Sequence, residues 1–238
     1  MKERPILFNG EMVRAILDGR KTQTRRPIKP QPKEIKNGWW EWGYAYGASK
    51  ATAPRLCSWH AETWQRESGT APIDRYCPSG IPGDQLWVRE TWGVHRLTGS
   101  AGDKMYLEYP NVLYRADSST MLVIDDEVWK YVDGKFRWRP SIHMPRWASR
   151  ITLEVTDVRV ERLQEITDDD ARSKGAVNDD WDEWYDNVRN YAIPGSRIER
   201  PRDVFHYLWD SIYSKRGFGW DANPWVWVVE FVASEDWR

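Results

Sequence analysis

Apolar and polar positions switch between two periods along the chain, and the switches mark its elements. Pro5-Ile6-Leu7-Phe8 is a short apolar run closed by Asn9-Gly10, which predicts a buried first strand and a turn. Met12, Ala15 and Ile16, widened by Val13 and Leu17, recur at helical spacing over 11–18. Asp18-Gly19 ends that helix, because glycine takes a left-handed cap at little steric cost. Alternation follows: Thr22 and Thr24 fall between Lys21, Gln23 and Arg25, predicting a strand with a cationic face and a hydroxyl face. Pro27 stops that strand or holds it at a sheet edge, since proline cannot donate to a ladder.

Residues 27–55 break the pattern. Pro27, Pro30 and Pro32 forbid a helix, and the segment from Gly38 to Gly47 is rich in Trp, Tyr and Gly; an irregular insertion, a β-hairpin or an aromatic flap all fit. Pro82-Gly83-Asp84 is turn chemistry leading into a strand through Leu86 and Val88. Short strands follow at 112–115 and 128–132, with Asp133-Gly134 as a hairpin turn into 135–138. The stretch 139–150 lies among prolines and is expected to be an ordered, non-helical loop. Ile151 to Leu163 alternates as a long strand, with a slip at Asp157 that fits a bulge. Thr167 caps a helix with acids in its first turn, ending near Gly175. Pro201 starts another, with Val204, Phe205, Leu208 and Ile212 as its stripe, and Trp225 to Val232 is a continuous apolar run expected as a central strand. The expectation is a single α+β domain over 1–238, with 27–80 and 176–200 as peripheral insertions.

Composition adds location more than class. The 238 residues carry a formal net charge of -1, so any attraction to polyanions has to be local. It is local: residues 1–36 hold ten Lys/Arg against four Asp/Glu (+6), 137–150 hold four Arg, His143 and no acid, and 165–186 hold nine acids against Arg172 and Lys174 (-7). Some of the seventeen Trp are candidates for stacking on bases, while most are expected in cores. Cys57 and Cys77 make no disulfide framework. Cys57, His60 and Cys77 have zinc-compatible spacing but lack a fourth ligand, so no metal and no cofactor are expected. Without a signal-like N-terminus or a membrane-length apolar run, a cytoplasmic protein with no membrane partner is expected.

The chemistry concentrates in Gly19-Arg20-Lys21-Thr22-Gln23-Thr24-Arg25-Arg26-Pro27, which has four cations, three hydroxyl or amide side chains and no acid. Arginine forks, a lysine point charge and spare N–H groups at a turn suit an anion, most naturally a phosphate.

This stretch, with Pro82-Gly83-Asp84-x-Leu86-Trp87-Val88, the strand 151–163 with its helix, and the closing strand 225–232, resembles the ASCH family of the PUA-like superfamily. The Met144-Pro145-Arg146 loop is similar to that of larger phage-encoded members. The resemblance covers about half the chain. It implies a small mixed β-barrel with flanking helices, and a cleft lined by the Gly-x-Lys stretch for RNA, DNA or a nucleotide. Some members are N4-acylcytidine amidohydrolases that use a Lys, a Thr and a Glu, and others are ribonucleases. Lys21 and Thr24 match, whereas Lys174 stands where the Glu is expected, with Glu165 or Asp170 as substitutes out of place. Three functions stay open. One is a nucleic-acid or nucleotide binder using Lys21, Thr22, Thr24, Arg25, Arg26, His143, Arg146 and Arg150. Another is a hydrolase with Lys21 and Thr24 as catalytic groups, His143 serving a ribonuclease variant. The third is a phage structural or interaction protein.

Overall fold

The computed structural model describes residues 1–36, 39–44, 55–60, 77–96, 110–118, 120–122, 137–175 and 200–234, with side chains left out at 34–36, 39–44, 55–60, 95–96, 110–111 and 120–122. In chain order the strands are β1 (Glu3–Leu7), β2 (Gln23–Pro27), β3 (Lys33–Lys36), β4 (Trp39–Tyr44), β5 (Arg55–His60), β6 (Gln85–Arg89), β7 (Trp92–Arg96), β8 (Pro110–Tyr114), β9 (Thr120–Leu122), β10 (Thr152–Arg162) and β11 (Trp225–Ala233). The helices are α1 (Gly10–Leu17), α2 (Asp168–Ser173) and α3 (Pro201–Tyr213). The main sheet runs β1-β6-β10-β11-β2, parallel between β1 and β6 and antiparallel elsewhere; β3-β4-β5 and β7-β8-β9 form two smaller antiparallel sheets.

β11 explains why its sequence is apolar throughout. Trp225, Trp227, Val229 and Phe231 pack into one core with Phe8, Val13, Ile16, Leu86 and Leu153. Val226 and Val228 pack into a second core with Val204, Phe205 and Trp209 of α3. A strand buried on both faces has no solvent side on which to place polar residues. The register along β10 shifts between Val155 and Asp157, so Leu153 and Val155 before the bulge and Val158 and Val160 after it all reach the first core. Without that extra residue, one half of the apolar set would face the wrong side.

Helix ends follow their local chemistry. The Asn9 side chain accepts from Met12 N–H, and Thr167 makes a capping box with Asp170. Pro201 is the first residue of α3. Its buried stripe is Val204, Phe205, Trp209 and Tyr213, rotated slightly from the expected one, so Leu208 and Ile212 are only half-buried. The loop 139–150 is ordered as expected, with single 3-10 turns at Ser141–His143 and Arg146–Ala148.

Two expectations are corrected. The sheet is not a closed barrel: β1 and β2 are its two edges, with no ladder between them. β1 is an edge strand with Ile6 inward and Leu7 exposed, because only one of its faces meets the core. Of the alternatives open for residues 27–55, the described part takes the β-hairpin, with β3 and β4 paired and β5 pairing on β4. The strand expected at 128–132, the hairpin turn at 133–134 and the insertion 176–199 lie outside the described residues. Among the described residues, no helix is long and apolar enough to cross a membrane.

Two glycines separate backbone strain from packing. Gly19 and Gly175 have φ of 74° and 69°. A Cβ at Gly19 meets nothing within 4 Å, whereas at Gly175 it would lie 2.6 Å from the Ala15 Cβ and 3.1 Å from the Lys21 Cβ. Gly19→Ala is expected to cost about 1–2 kcal/mol from the left-handed backbone, and Gly175→Ala roughly 2–5 kcal/mol with overpacking added. Urea unfolding of both variants checks this, and equal costs would contradict it.

Candidate functional site

Lys21 follows the Gly19 turn and is tied to two helices. Its N–H bonds the Ala15 carbonyl at 2.9 Å, and the Thr22 N–H bonds the Ser173 carbonyl at 2.8 Å. Its backbone pairs with Lys174 in an isolated bridge. The side chain is only 2% exposed. Nζ donates to the carbonyls of Gln23 at 2.7 Å and Lys174 at 3.0 Å, and sits 5.2 Å from the Phe8 ring centre. Burial, reinforced by the Arg26 charge, brings its pKa down to about 7. Burial, followed by the Lys21 charge, pushes the Lys174 amine well below its ordinary value. That amine lies over the rings of Phe205 at 4.5 Å and Trp209 at 5.6 Å.

Arg25 points to the other core. Strand pairing sets Gln23 and Arg25 beside Glu230 and Val228, and Thr24 and Arg26 beside Val229 and Trp227. The Arg25 side chain has no exposure. Its guanidinium donates to Glu161 at 2.6 Å, Asp170 at 3.1 Å and the Gln23 amide oxygen at 2.6 Å. Gln23 in turn donates to Asp170 at 2.9 Å and Glu230 at 3.3 Å, and Arg159 bonds Glu161 and Glu230. Burial alone would raise the Asp170 pKa, but the Gln23 hydrogen bond, the Arg25 charge and the Thr167 contacts outweigh it and bring the value to about 2.

Arg26 takes the opposite face and reaches across the open side of the sheet. It donates to the Leu7 carbonyl at the end of β1 (2.7 Å) and to the Tyr213 hydroxyl (3.3 Å), and lies 5.9 Å from the Phe8 ring centre. Lys21 and Arg26 therefore border one ring, at the seam between the two sheet edges. Thr24 is buried and Thr22 exposed.

The second basic stretch goes elsewhere. Arg146 makes a bidentate pair with Glu3, both distances 3.0 Å, which holds the Glu3 carboxyl below its ordinary pKa. Arg150 makes a bidentate pair with Glu90 at 2.9 and 3.0 Å, bonds Asp117 at 2.8 Å and stacks on Tyr114. His143 is exposed at the end of a 3-10 turn. The expected single cluster of Lys21, Arg25, Arg26, Arg146 and Arg150 is thus corrected. Arg25, Arg146 and Arg150 are each matched by acids from distant segments, and Arg146 sits at the start of β1 rather than at β2. The cationic face of β2 is likewise interior, not open to solvent.

Neither substitute carboxylate serves Lys21. Glu165 is exposed and accepts from the Arg162 N–H at 2.8 Å, and Asp170 is engaged by Gln23 and Arg25. The Cys57 and His60 side chains lie outside the described residues. Burial pushes the Cys77 thiol up to about 11, away from the thiolate that a metal needs. The acids around Arg25 were missed in the sequence, although Glu230 breaks an otherwise apolar run and Arg159 and Glu161 share a face of β10 by spacing.

No family model, curated protein or solved structure matches the chain.

The Arg25 cluster has a pH signature. The Asp170 pKa in the fold, about 2, lies below its ordinary 3.8. Its stabilisation is therefore full above about pH 4 and is lost as pH falls through 3.8 towards 2. At neutral pH, Asp170→Asn is expected to cost about 1–3 kcal/mol. Urea midpoints from pH 6 to pH 2 should show the gap between wild type and variant closing across that window; a constant gap would contradict it.

Proposed function

We propose that the chain is an ASCH-type, PUA-like module that binds single-stranded nucleic acid or a nucleotide through its phosphates. One observation carries the reading. Of the four cations in the basic stretch, Arg20 pairs with Asp18 and Arg25 with Glu161 and Asp170, while Lys21 and Arg26 have no carboxylate partner among the described residues. Arg26 and the adjacent Lys21, which is held near its titration point, have no carboxylate to match them among those residues; this favours an anion, and Arg26 is partly exposed at the open seam to meet it.

Phosphate contact releases counterions, so affinity should fall steeply with salt. Arg26→Ala should lower the log–log slope by about one unit and weaken all sequences alike. Lys33→Ala, at an exposed position away from the seam, should not. An incoming anion also favours protonated Lys21, so binding should weaken as pH rises through about 7, and Lys21→Met should flatten that dependence. Fluorescence titrations of short RNA and DNA strands across salt and pH check both. Equal effects of Arg26→Ala and Lys33→Ala would mean diffuse charge rather than a site.

The lowered Lys21 pKa favours a second reading, a hydrolase in which Lys21 is the base and Thr24 the partner group. With Lys174 at the expected Glu position and no carboxylate on Lys21, little turnover of N4-acylcytidine is expected. Robust turnover abolished by Lys21→Ala would replace the binding reading with this one.

A further inference from the structure

The seam that Arg26 crosses opens into a surface cavity of about 400 Å³. Residues 4–7 of β1 form one wall, so the cavity runs along the unpaired edge of that strand; Arg26 comes from the opposite sheet edge, Arg89 from the end of β6, and Pro78 and Ser79 from the turn before β6. The lining contains three arginines and no carboxylate.

These arginines are poorly neutralised. The Arg4 side chain makes no hydrogen bond among the described residues, and its ion pair with Asp84 is loose, Nε to Oδ2 at 3.9 Å. Asp84 is already committed to the N–H groups of Lys2 at 2.8 Å and Ile81 at 3.3 Å. Arg89 donates to the Ile142 carbonyl and lies over the Trp87 ring, and Arg26 donates to a carbonyl and a phenol. The Nε atoms of Arg4 and Arg89 are buried with no hydrogen-bond partner. Three like charges around one concavity repel one another, and a fold tolerates this where an anion completes the site.

We propose that this cavity is a phosphate site in which Arg4, Arg26 and Arg89, with the Ser79 hydroxyl, hold the phosphate of one nucleotide, free or within a strand. Arginine forks match phosphate oxygens in pairs, and serine adds a neutral donor. The volume lies at the small end of ligand pockets, enough for a single nucleotide rather than a folded segment. Pro5, Pro78 and Leu7 give the wall an apolar part against which a sugar or base packs. The inference rests on the phosphate-binding reading above and adds Arg4, Arg89 and Ser79, which lie outside the basic stretch.

The test is calorimetric titration of the full chain with inorganic phosphate, a nucleoside 5′-monophosphate and the matching nucleoside, beside the single-strand titration. Arg4→Ala is the primary variant, because the Arg4 side chain makes no hydrogen bond among the described residues, whereas Arg26 and Arg89 each donate within the fold. Arg89→Ala and Lys33→Ala accompany it, each checked by thermal melting. The monophosphate should bind more tightly than inorganic phosphate, and the nucleoside should not bind. Arg4→Ala should weaken the monophosphate about ten- to a hundred-fold with an unchanged melt. Arg4→Lys should recover part of that loss, since it keeps the charge without the fork. Single strands that bind and lose affinity with Arg26→Ala but not with Arg4→Ala or Arg89→Ala would overturn the cavity and leave the nucleic-acid reading standing. Monophosphate binding sensitive to Arg4, with no strand binding, would support the cavity and sink the polymer reading. Absence of both would overturn both.

Discussion

Arg25 carries a full charge with no side-chain exposure, and much of the site depends on how that charge is met. Removing an ion from water costs several kcal/mol even after the protein relaxes, so the partners have to be in place. They come from three elements: Gln23 on β2, Glu161 on β10 and Asp170 in the first turn of α2. The pairing therefore fixes where α2 lies against the sheet. α2 in turn presents the Ser173 carbonyl to Thr22, the Lys174 carbonyl to the Lys21 ammonium, and Gly175 to the narrow gap beside Ala15. Strand alternation does the rest. With Arg25 turned towards α2 and α3, Arg26 has to leave on the opposite face, where Phe8 and the end of β1 lie.

The segments that build the main sheet were legible because their patterns are strong and local. Gly19, Thr167 and Pro201 announce helix ends through their own backbone chemistry, and the slip at Asp157 marks a bulge that the register confirms, whereas Asn9, expected in a turn, is the N-cap of α1. The openness of the sheet was not legible, because closure depends on whether two distant edges come within ladder distance, and no local pattern encodes that. Of the site, the sequence located the basic stretch but not the state of each cation in it. Charge counted by segment makes Arg146 and Arg150 look unopposed, whereas their partners Glu3, Glu90 and Asp117 come from 143, 60 and 33 residues away. The hydroxyl-versus-cation alternation of β2 holds as a period, but the sequence does not show that its cationic face is interior, since the acids that allow Arg25 to be buried lie on β10 and α2.

The distribution of matched and unmatched cations is what gives the seam its character. The chain is nearly neutral overall, so a surplus of positive charge at one place requires acids to be committed elsewhere. They are: Asp18, Glu161, Asp170, Glu230, Glu3, Glu90 and Asp117 each engage an arginine away from the gap between β1 and β2. What remains at the gap is Lys21, Arg26 and Arg89, bonded to carbonyls, a phenol and ring faces, and Arg4, whose one carboxylate neighbour among the described residues, Asp84, stands 3.9 Å off. Carbonyl and ring contacts orient a cation without cancelling its charge. The open sheet edge and the low-dielectric core beneath Phe8 concentrate that field rather than dissipating it, while burial holds Lys21 close to its titration point at neutral pH, so its charge is only partly present there. An anion at the seam would therefore gain from the three lining arginines directly and from Lys21 only through the field beneath the surface. It would also supply the charge that draws a proton onto Lys21, so that occupancy of the seam and protonation of the buried lysine form one coupled equilibrium.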